Sequence, residues 1–185
     1  MAELPLITTD QRRARLAQRH RLVPSERTDD VAAITDSLTA LHSADPVTPH
    51  LAAGMRMADP SIAAVVAALY EDRSVVRHHG MRRTLWVLTP EAAVDAHASS
   101  TIRVGNQELK RHLKMLDWEP SRFAAAVDDV ASLMNEEPIS TKEVGRRLPY
   151  LNDRLTIGKG KSYETSISML SWALLHAGFE GRTIR

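Results

Sequence analysis

The stretch Leu41–Pro46 brings an imidazole, a hydroxyl and a carboxylate together within four residues, as His42, Ser43 and Asp45. Such groups could hold and polarise a water molecule, or stabilise positive charge that develops during a reaction. The same stretch also has the composition of a turn, because Pro46 disfavours helical geometry at the residue before it and Asp is a common helix cap. We therefore keep two hypotheses for it: what is left of a catalytic motif, or a helix-capping turn.

A β-hairpin is predicted further along the chain, with strands Ser74–Arg77 and Thr84–Leu88 joined by the turn His78–Gly80. Arg82 and Arg83 stand where the returning strand begins. Arginines at such a place could contact DNA phosphates or enter the minor groove. The alternative is two solvated side chains, one of which must point away if the strand is regular.

Two lysines form a further candidate nucleic-acid contact near the end of the chain. Lys159 and Lys161 flank Gly160 in the predicted flexible loop Asn152–Ser162. A loop of this composition suits contact with a phosphate backbone, although a solvated loop without a ligand accounts for it equally well.

Composition excludes several classes of site. The chain has no cysteine, so disulfides and thiolate metal sites are excluded. His78 and His79 are adjacent on a predicted strand and would face opposite ways, so we predict no metal site and no cofactor. No apolar run reaches the ~20 residues of a membrane span and the N-terminus lacks a signal-peptide core, so a cytoplasmic protein without membrane partners is expected.

The 185 residues suffice for one large domain or two small ones, and the Ala- and Leu-rich composition favours helices. Helices are predicted over Thr9–Leu22, Asp29–Leu41, His50–Met57 and 59–72, with Asp59 as the cap of the last. Helices followed by the hairpin give the element order of a winged helix. The net charge is only +1, so we expect modest, salt-dependent affinity for DNA.

The second half predicts a long helix over 89–116 with a possible break at Gly105, and a helix around Phe123–Met134. A capping box at Ser140 and a helix over Glu164–Ala177 then resemble the start of a second winged helix. We therefore predict a mainly α fold with small β-hairpins (α+β), a tandem winged helix whose second unit is truncated. The predicted domains are residues 1–90 (first winged helix), 91–136 (helical connector) and 137–185 (second, incomplete).

Four segments together resemble the bacterial winged-helix DNA-binding family that includes DNA glycosylases acting on alkylated purines and interstrand crosslinks. They are Leu41–Pro46, Leu69–Arg77, Gly80–Leu88 and Leu155–Lys161, and their order and spacing carry the resemblance. The resemblance covers nearly the whole chain and implies that it corresponds to the N-terminal half of such a protein. It also implies binding to double-stranded DNA.

The resembled glycosylases carry a catalytic Gln-x-Gln or Gln-x-Asp motif, with a His-led version in some relatives. The matching positions here are His42, Ser43 and Ala44, so the first polar residue is kept and the second is lost. Asp45 could replace it only if its carboxylate points the same way; otherwise it caps the next helix. His42 could likewise satisfy a helix end rather than serve a reaction.

These observations predict a DNA-binding winged-helix protein related to the glycosylases, with weak or no catalysis. The alternative is an active glycosylase for alkylated or crosslinked purines that uses His42 and Asp45, and a second alternative is a transcriptional regulator. A wing strand that ends at Arg185 without its partner would leave an open sheet edge, which predicts self-association through that edge.

Overall fold

The structure is a computed structural model that describes residues 6–116 and 118–183, apart from the side chain of Arg82. The described chain forms two compact units. One contains the residues up to His78 together with Thr84–Asp95, and the other contains His79–Arg83 together with the residues from Ala96 onward. The domain boundaries that we expect from the sequence, at residues 90 and 136, remain a prediction, separate from this division into two units.

Polar side chains cap several helices of the first unit. The bounds of its helices are α1 (Thr9–Arg19), α2 (Val31–Ser37), α3 (Thr48–Gly54) and α4 (Ile62–Tyr70), and α5 (Pro90–Ala96) follows the sheet described next. Asp30 caps α2 by accepting a hydrogen bond from the Ala33 N–H. The predicted Asp59 cap of α4 is wrong, because Ser61 accepts from the Ala64 N–H there.

A three-stranded antiparallel sheet packs beside these helices. Its strands are β1 (Leu41–His42), β2 (Val76–His79) and β3 (Leu85–Leu88), in the order β1-β3-β2. In the register of β1 with β3, Leu41 lies opposite Val87, and both side chains are buried in the core of the first unit.

The predicted hairpin is correct in type and shifted in position. β2 runs through His79, so the predicted turn at His78–Gly80 is wrong, and a 3-10 turn at Met81–Arg83 makes the connection. β1 was predicted as the end of a helix. That helix instead ends at Ser37, because Thr39 takes a left-handed conformation with φ of 70°.

The second unit is built mainly from helices. Its elements are a π-helical turn (His97–Thr101), α6 (Ile102–Leu113), α7 (Pro120–Glu136), α8 (Thr141–Arg147), β4 (Arg154–Ile157), β5 (Thr165–Ser168) and α9 (Met169–Phe179). The core lies between α7 and α9, where Phe123 and Val130 are buried in the same cluster as Trp172. The predicted break at Gly105 is wrong: the helix continues, and the missing Cβ lets Phe179 pack against it.

An antiparallel hairpin of β4 and β5 replaces part of the predicted loop 152–162 and the start of the predicted helix Glu164–Ala177. Leu155 and Ile167 are register partners, and both pack partly buried against the core, which is the alternation of a half-buried strand. Consequently α9 begins only at Met169, where Ser168 caps it. The helix also continues through Gly178, which was predicted to end it.

The predicted class, mainly α with small antiparallel β-hairpins, is confirmed. The wing strand predicted to end at Arg185 falls on residues outside the described ranges, so self-association through that edge stays a prediction. No helix in the described ranges is both long enough and apolar enough to cross a membrane.

Candidate functional site

His42 stands at the end of β1, on the exposed side of the sheet. Exposure alternates along the chain, with His42 exposed, Ser43 buried and Ala44 exposed. Because alternate residues of an extended chain share a face, His42 and Ala44 lie on the same side. A motif of two polar residues separated by one residue requires this arrangement. The His42 ring meets Trp86 on β3 edge to face, with ring centroids 5.1 Å apart at 80°.

Ser43, the residue between them, is held by Arg77, which was not singled out in the sequence analysis. Ser43 is fully buried, and its hydroxyl accepts a hydrogen bond from Arg77 Nε at 2.8 Å. A second guanidinium nitrogen of Arg77 donates to the Ser43 carbonyl oxygen at 3.0 Å. Because Arg77 belongs to β2, this fork ties the backbone beside His42 to the hairpin.

Asp45 holds the turn that leads into α3. Its Oδ1 atom accepts hydrogen bonds from the Val47 N–H at 2.8 Å and the Thr48 N–H at 3.2 Å. These contacts close a turn directly before α3, whose N-cap residue is Val47. They are of the kind that the helix-capping hypothesis expects of Asp45, which stays a prediction. The indole nitrogen of Trp86, in contrast, is buried and has no hydrogen-bond partner among the described residues.

The predicted DNA contacts lie in the second unit. The side chain of Arg82 is outside the description, although its backbone belongs to the 3-10 turn. Arg83 has a left-handed backbone with φ of 65°, and its guanidinium lies 3.1 Å from the Glu108 carboxylate. Lys159 and Lys161 are exposed in the loop at the tip of the β4–β5 hairpin.

A buried polar cluster, which sequence reasoning missed, surrounds Arg83. Glu108 lies on α6 with its side chain 12% exposed, and its Oε2 atom accepts from both Arg83 and Arg111. The two arginine side chains are half-exposed, at 50% and 53%. His112, also on α6, is buried with Nε2 3.6 Å from the same carboxylate oxygen.

A second histidine completes the cluster from α9. His112 Nδ1 lies 3.0 Å from His176 Nε2, and both rings are buried. The pKa of each histidine is lowered to about 4, mainly by burial, and the neighbouring Arg111 is the second cause for His112. Both are therefore neutral at pH 7. Since Arg111 can only donate, it bonds the bare Nε2 of His112, and the Nδ1–H of that ring donates to His176.

The cluster opens into a groove of about 660 Å³ in the second unit. Arg83, Glu108, Arg111 and Trp172 line it, together with the hydroxyl-bearing Thr141 and Ser171. The Trp172 ring stacks on His112 with centroids 4.1 Å apart and planes 9° from parallel. A signal for the cluster does exist in the sequence, because residues at i, i+3 and i+4 of one helix share a face.

The described part of the chain groups no three His, Cys, Asp or Glu side chains in a way that could hold a metal ion. The two sites differ in their chemistry. One is an exposed imidazole beside an indole on a fixed strand, and the other is a groove whose mouth carries two arginines on one carboxylate.

Comparison with known families places most of the chain. Residues 35–182 match the model of the DNA glycosylase AlkZ-like family. The chain belongs to this family, which makes it related to DNA glycosylases, and hence to DNA repair and DNA binding. No significant match was found among curated proteins or among solved structures.

Proposed function

We propose that this chain is a DNA-binding member of its family with weak or no glycosylase activity. The carrying observation is the composition of the exposed face at the end of β1, where His42 is followed two residues later by Ala44. Cleaving a glycosidic bond to a cationic base needs an oriented water and stabilisation of positive charge at the sugar. A methyl group supplies neither.

In the proposed function, Asp45 does not replace the polar side chain that is missing at Ala44. Its carboxylate is engaged by two backbone N–H groups ahead of α3, which supports the capping role over a catalytic one. The turn fixes Asp45 toward the helix start, so a catalytic role would require the carboxylate to give up two hydrogen bonds.

We propose that DNA is bound by winged-helix elements. In the first unit, helices α2 to α4 followed by the β2–β3 hairpin support this reading, because that is the element order of a helix-turn-helix core and its wing. In the second unit the β4–β5 hairpin presents Lys159 and Lys161 at its tip, where phosphate contact costs no burial of charge. Arg82 and Arg83 are the further proposed contacts, and double-stranded DNA is the proposed partner.

The alternative is an active glycosylase that uses His42 and Asp45. One observation favours it: the exposed His42 ring packs edge to face against Trp86, an aromatic surface beside which a base could lie. Two assays on one preparation separate the functions. A mobility-shift assay with duplex DNA in ~50 mM salt tests binding, and release of base from duplex containing 7-methylguanine tests catalysis.

Salt-sensitive binding without base release is the expected result. Base release that disappears in His42→Ala would establish the alternative. Absence of duplex binding at this salt concentration would refute the proposed function, and a strong preference for one sequence over random DNA would favour a transcriptional regulator instead.

A further inference from the structure

We infer that Arg83 and Arg111 together bind one phosphodiester group of DNA, and that Glu108 is the residue that positions them. The inference rests on the proposed DNA binding and assigns it a site. Of these three residues only Arg83 is singled out by the sequence; Arg111 and Glu108 come from the structure. Both arginines meet the same carboxylate oxygen, so their guanidinium groups are held side by side at the mouth of the groove.

The groove carries a net positive charge. Arg83 and Arg111 carry one charge each, Glu108 neutralises one of them, and the other lining residues bear no charge at pH 7. One positive charge therefore remains at the mouth, which a single phosphodiester would balance. The hydroxyls of Thr141 and Ser171 line the same groove and are donors suited to phosphate oxygens.

The two arginines keep their binding capacity while bonded to Glu108. Each guanidinium has five N–H donors, and the contacts to the carboxylate use few of them. About half of each side chain remains exposed, so the free donors can reach a ligand from solvent. Planar forks of this kind match the geometry of phosphate oxygens.

Glu108 is nearly buried, with its side chain 12% exposed, and this burial suits a positioning role. Its carboxylate lies against His112, which is hydrogen-bonded to His176 and stacked on Trp172. A carboxylate this buried is costly unless it is paired, and here two arginines pair with it. Arg83 also holds a left-handed backbone, which is unfavourable in a non-glycine residue, and its contact with Glu108 helps to hold it in place.

The test measures duplex binding across a salt series for the full chain and matched variants. Arg111→Gln removes a proposed contact. The control is Arg103→Gln, which removes the same charge from an exposed position of α6. We expect Arg111→Gln to weaken binding about tenfold and to reduce the slope of log affinity against log salt by about one phosphate contact. Arg103→Gln should leave the slope unchanged.

Glu108→Gln tests the positioning role, because a groove that acts only through net charge and a positioning Glu108 predict opposite changes in DNA affinity. It removes a negative charge, so a groove that acts only through net charge would bind DNA more tightly in this variant. A positioning Glu108 predicts weaker binding despite the added positive charge, with partial recovery in Glu108→Asp. Circular dichroism and thermal unfolding verify that each variant is folded. If Arg111→Gln does not fold, Arg111→Lys serves as a second variant, because it keeps the positive charge but lacks the planar guanidinium group.

Equal loss in Arg111→Gln and Arg103→Gln, or tighter binding by Glu108→Gln, overturns the inference and leaves the proposed DNA binding standing. Absence of duplex binding by the unaltered chain overturns both. A competition arm adds inorganic phosphate at constant ionic strength. Displacement of duplex by millimolar phosphate in preference to chloride identifies a free-phosphate site and overturns the assignment to DNA, whereas equal displacement by the two salts supports it.

Discussion

At the residue scale, the character of the first site depends on Ala44. His42 and Ala44 share the exposed face at the end of β1, and Ser43 between them is fixed by Arg77. We propose that this is a two-residue polar motif with the second polar side chain missing. The proposal is testable by restoring that side chain as well as by deleting the first.

Ala44→Gln should raise base release from 7-methylguanine duplex, because it returns a polar side chain to the face that His42 occupies. We expect a gain of at least tenfold over the unaltered chain, of the size that one positioned polar group contributes to catalysis (~10²-fold or more). Ala63→Gln, at an exposed position of α4, is the control for added polarity. A gain that survives in Ala44→Gln combined with His42→Ala would contradict the shared role.

Arg77→Met should destabilise the first unit by about 1–3 kcal/mol, the cost of leaving a buried polar group without its partner. The group left behind is the Ser43 hydroxyl, which is fully buried. Urea unfolding measures the change, and Arg73→Met removes a nearby exposed arginine as the control. Equal effects of the two substitutions would mean that the contact between Arg77 and Ser43 carries no special weight.

Stability should fall as the pH drops from 6.5 toward 4, because of His112 and His176. Their pKa values are lowered from 6.5 to about 4 in the folded state, so between these values the unfolded chain binds protons that the folded chain does not. Their neutral state therefore contributes full stability above pH 6.5. Glu108, Arg83 and Arg111 face His112 from the groove side. The two arginines lower the pKa of His112, whereas Glu108 acts to raise the pKa of both histidines.

Urea midpoints at a series of pH values measure this loss. The ion pairs of Glu143 lose their contribution only below its ordinary pKa of 4.5, because hydrogen bonds from Arg146 and Arg147 lower its folded-state pKa to about 2. The part of the series above pH 4.5 therefore reports mainly on the histidine pair. A midpoint that stays constant down to pH 4.5 would contradict the account of the histidine pair.

At the scale of elements, the features predicted correctly from the sequence are those that neighbouring residues determine, such as helix starts. The start of α8 at Ser140 was predicted because a hydroxyl three residues before Glu143 can cap a helix, and Ser140 accepts from the Glu143 N–H. The β4–β5 hairpin was missed because its strands are short and flank a Gly- and Lys-rich loop. Their alternation has meaning only once the core that Leu155 and Ile167 pack against is known.

The candidate site divides in the same way. His42, Asp45 and Arg83 were found from motif and turn chemistry within short stretches. Glu108 was not, because its environment depends on α9, which brings His176 next to His112 from 64 residues away. Spacing within one helix identifies which residues share a face, but it does not reveal what that face packs against.

Two helical glycines should respond oppositely to alanine. Gly105→Ala should lower the melting temperature, because the new Cβ would lie 2.9 Å from Phe179 Cβ, and overpacking of this kind costs about 1–3 kcal/mol. Gly54→Ala is the matched control, since its nearest neighbour, Pro60, would be 4.0 Å from the new Cβ. That change should stabilise by up to about 1 kcal/mol. Stabilisation by both would contradict the close packing of α6 on α9.

At the scale of the whole molecule, two compact units offer two different surfaces. The first carries His42 and Ala44 at the end of β1, and the second carries an arginine pair on a buried carboxylate and two lysines on a hairpin. Because a net charge of +1 gives the chain little general attraction to DNA, we propose that binding depends on these local groups. We therefore predict that binding and catalysis separate in this protein.

The most direct test measures both properties in one sample, by incubating the unaltered chain with duplex containing 7-methylguanine and following complex formation and base release together. We expect a complex that weakens steeply with salt, and base release no faster than in the protein-free control. Rapid base release that is lost in His42→Ala would contradict this expectation.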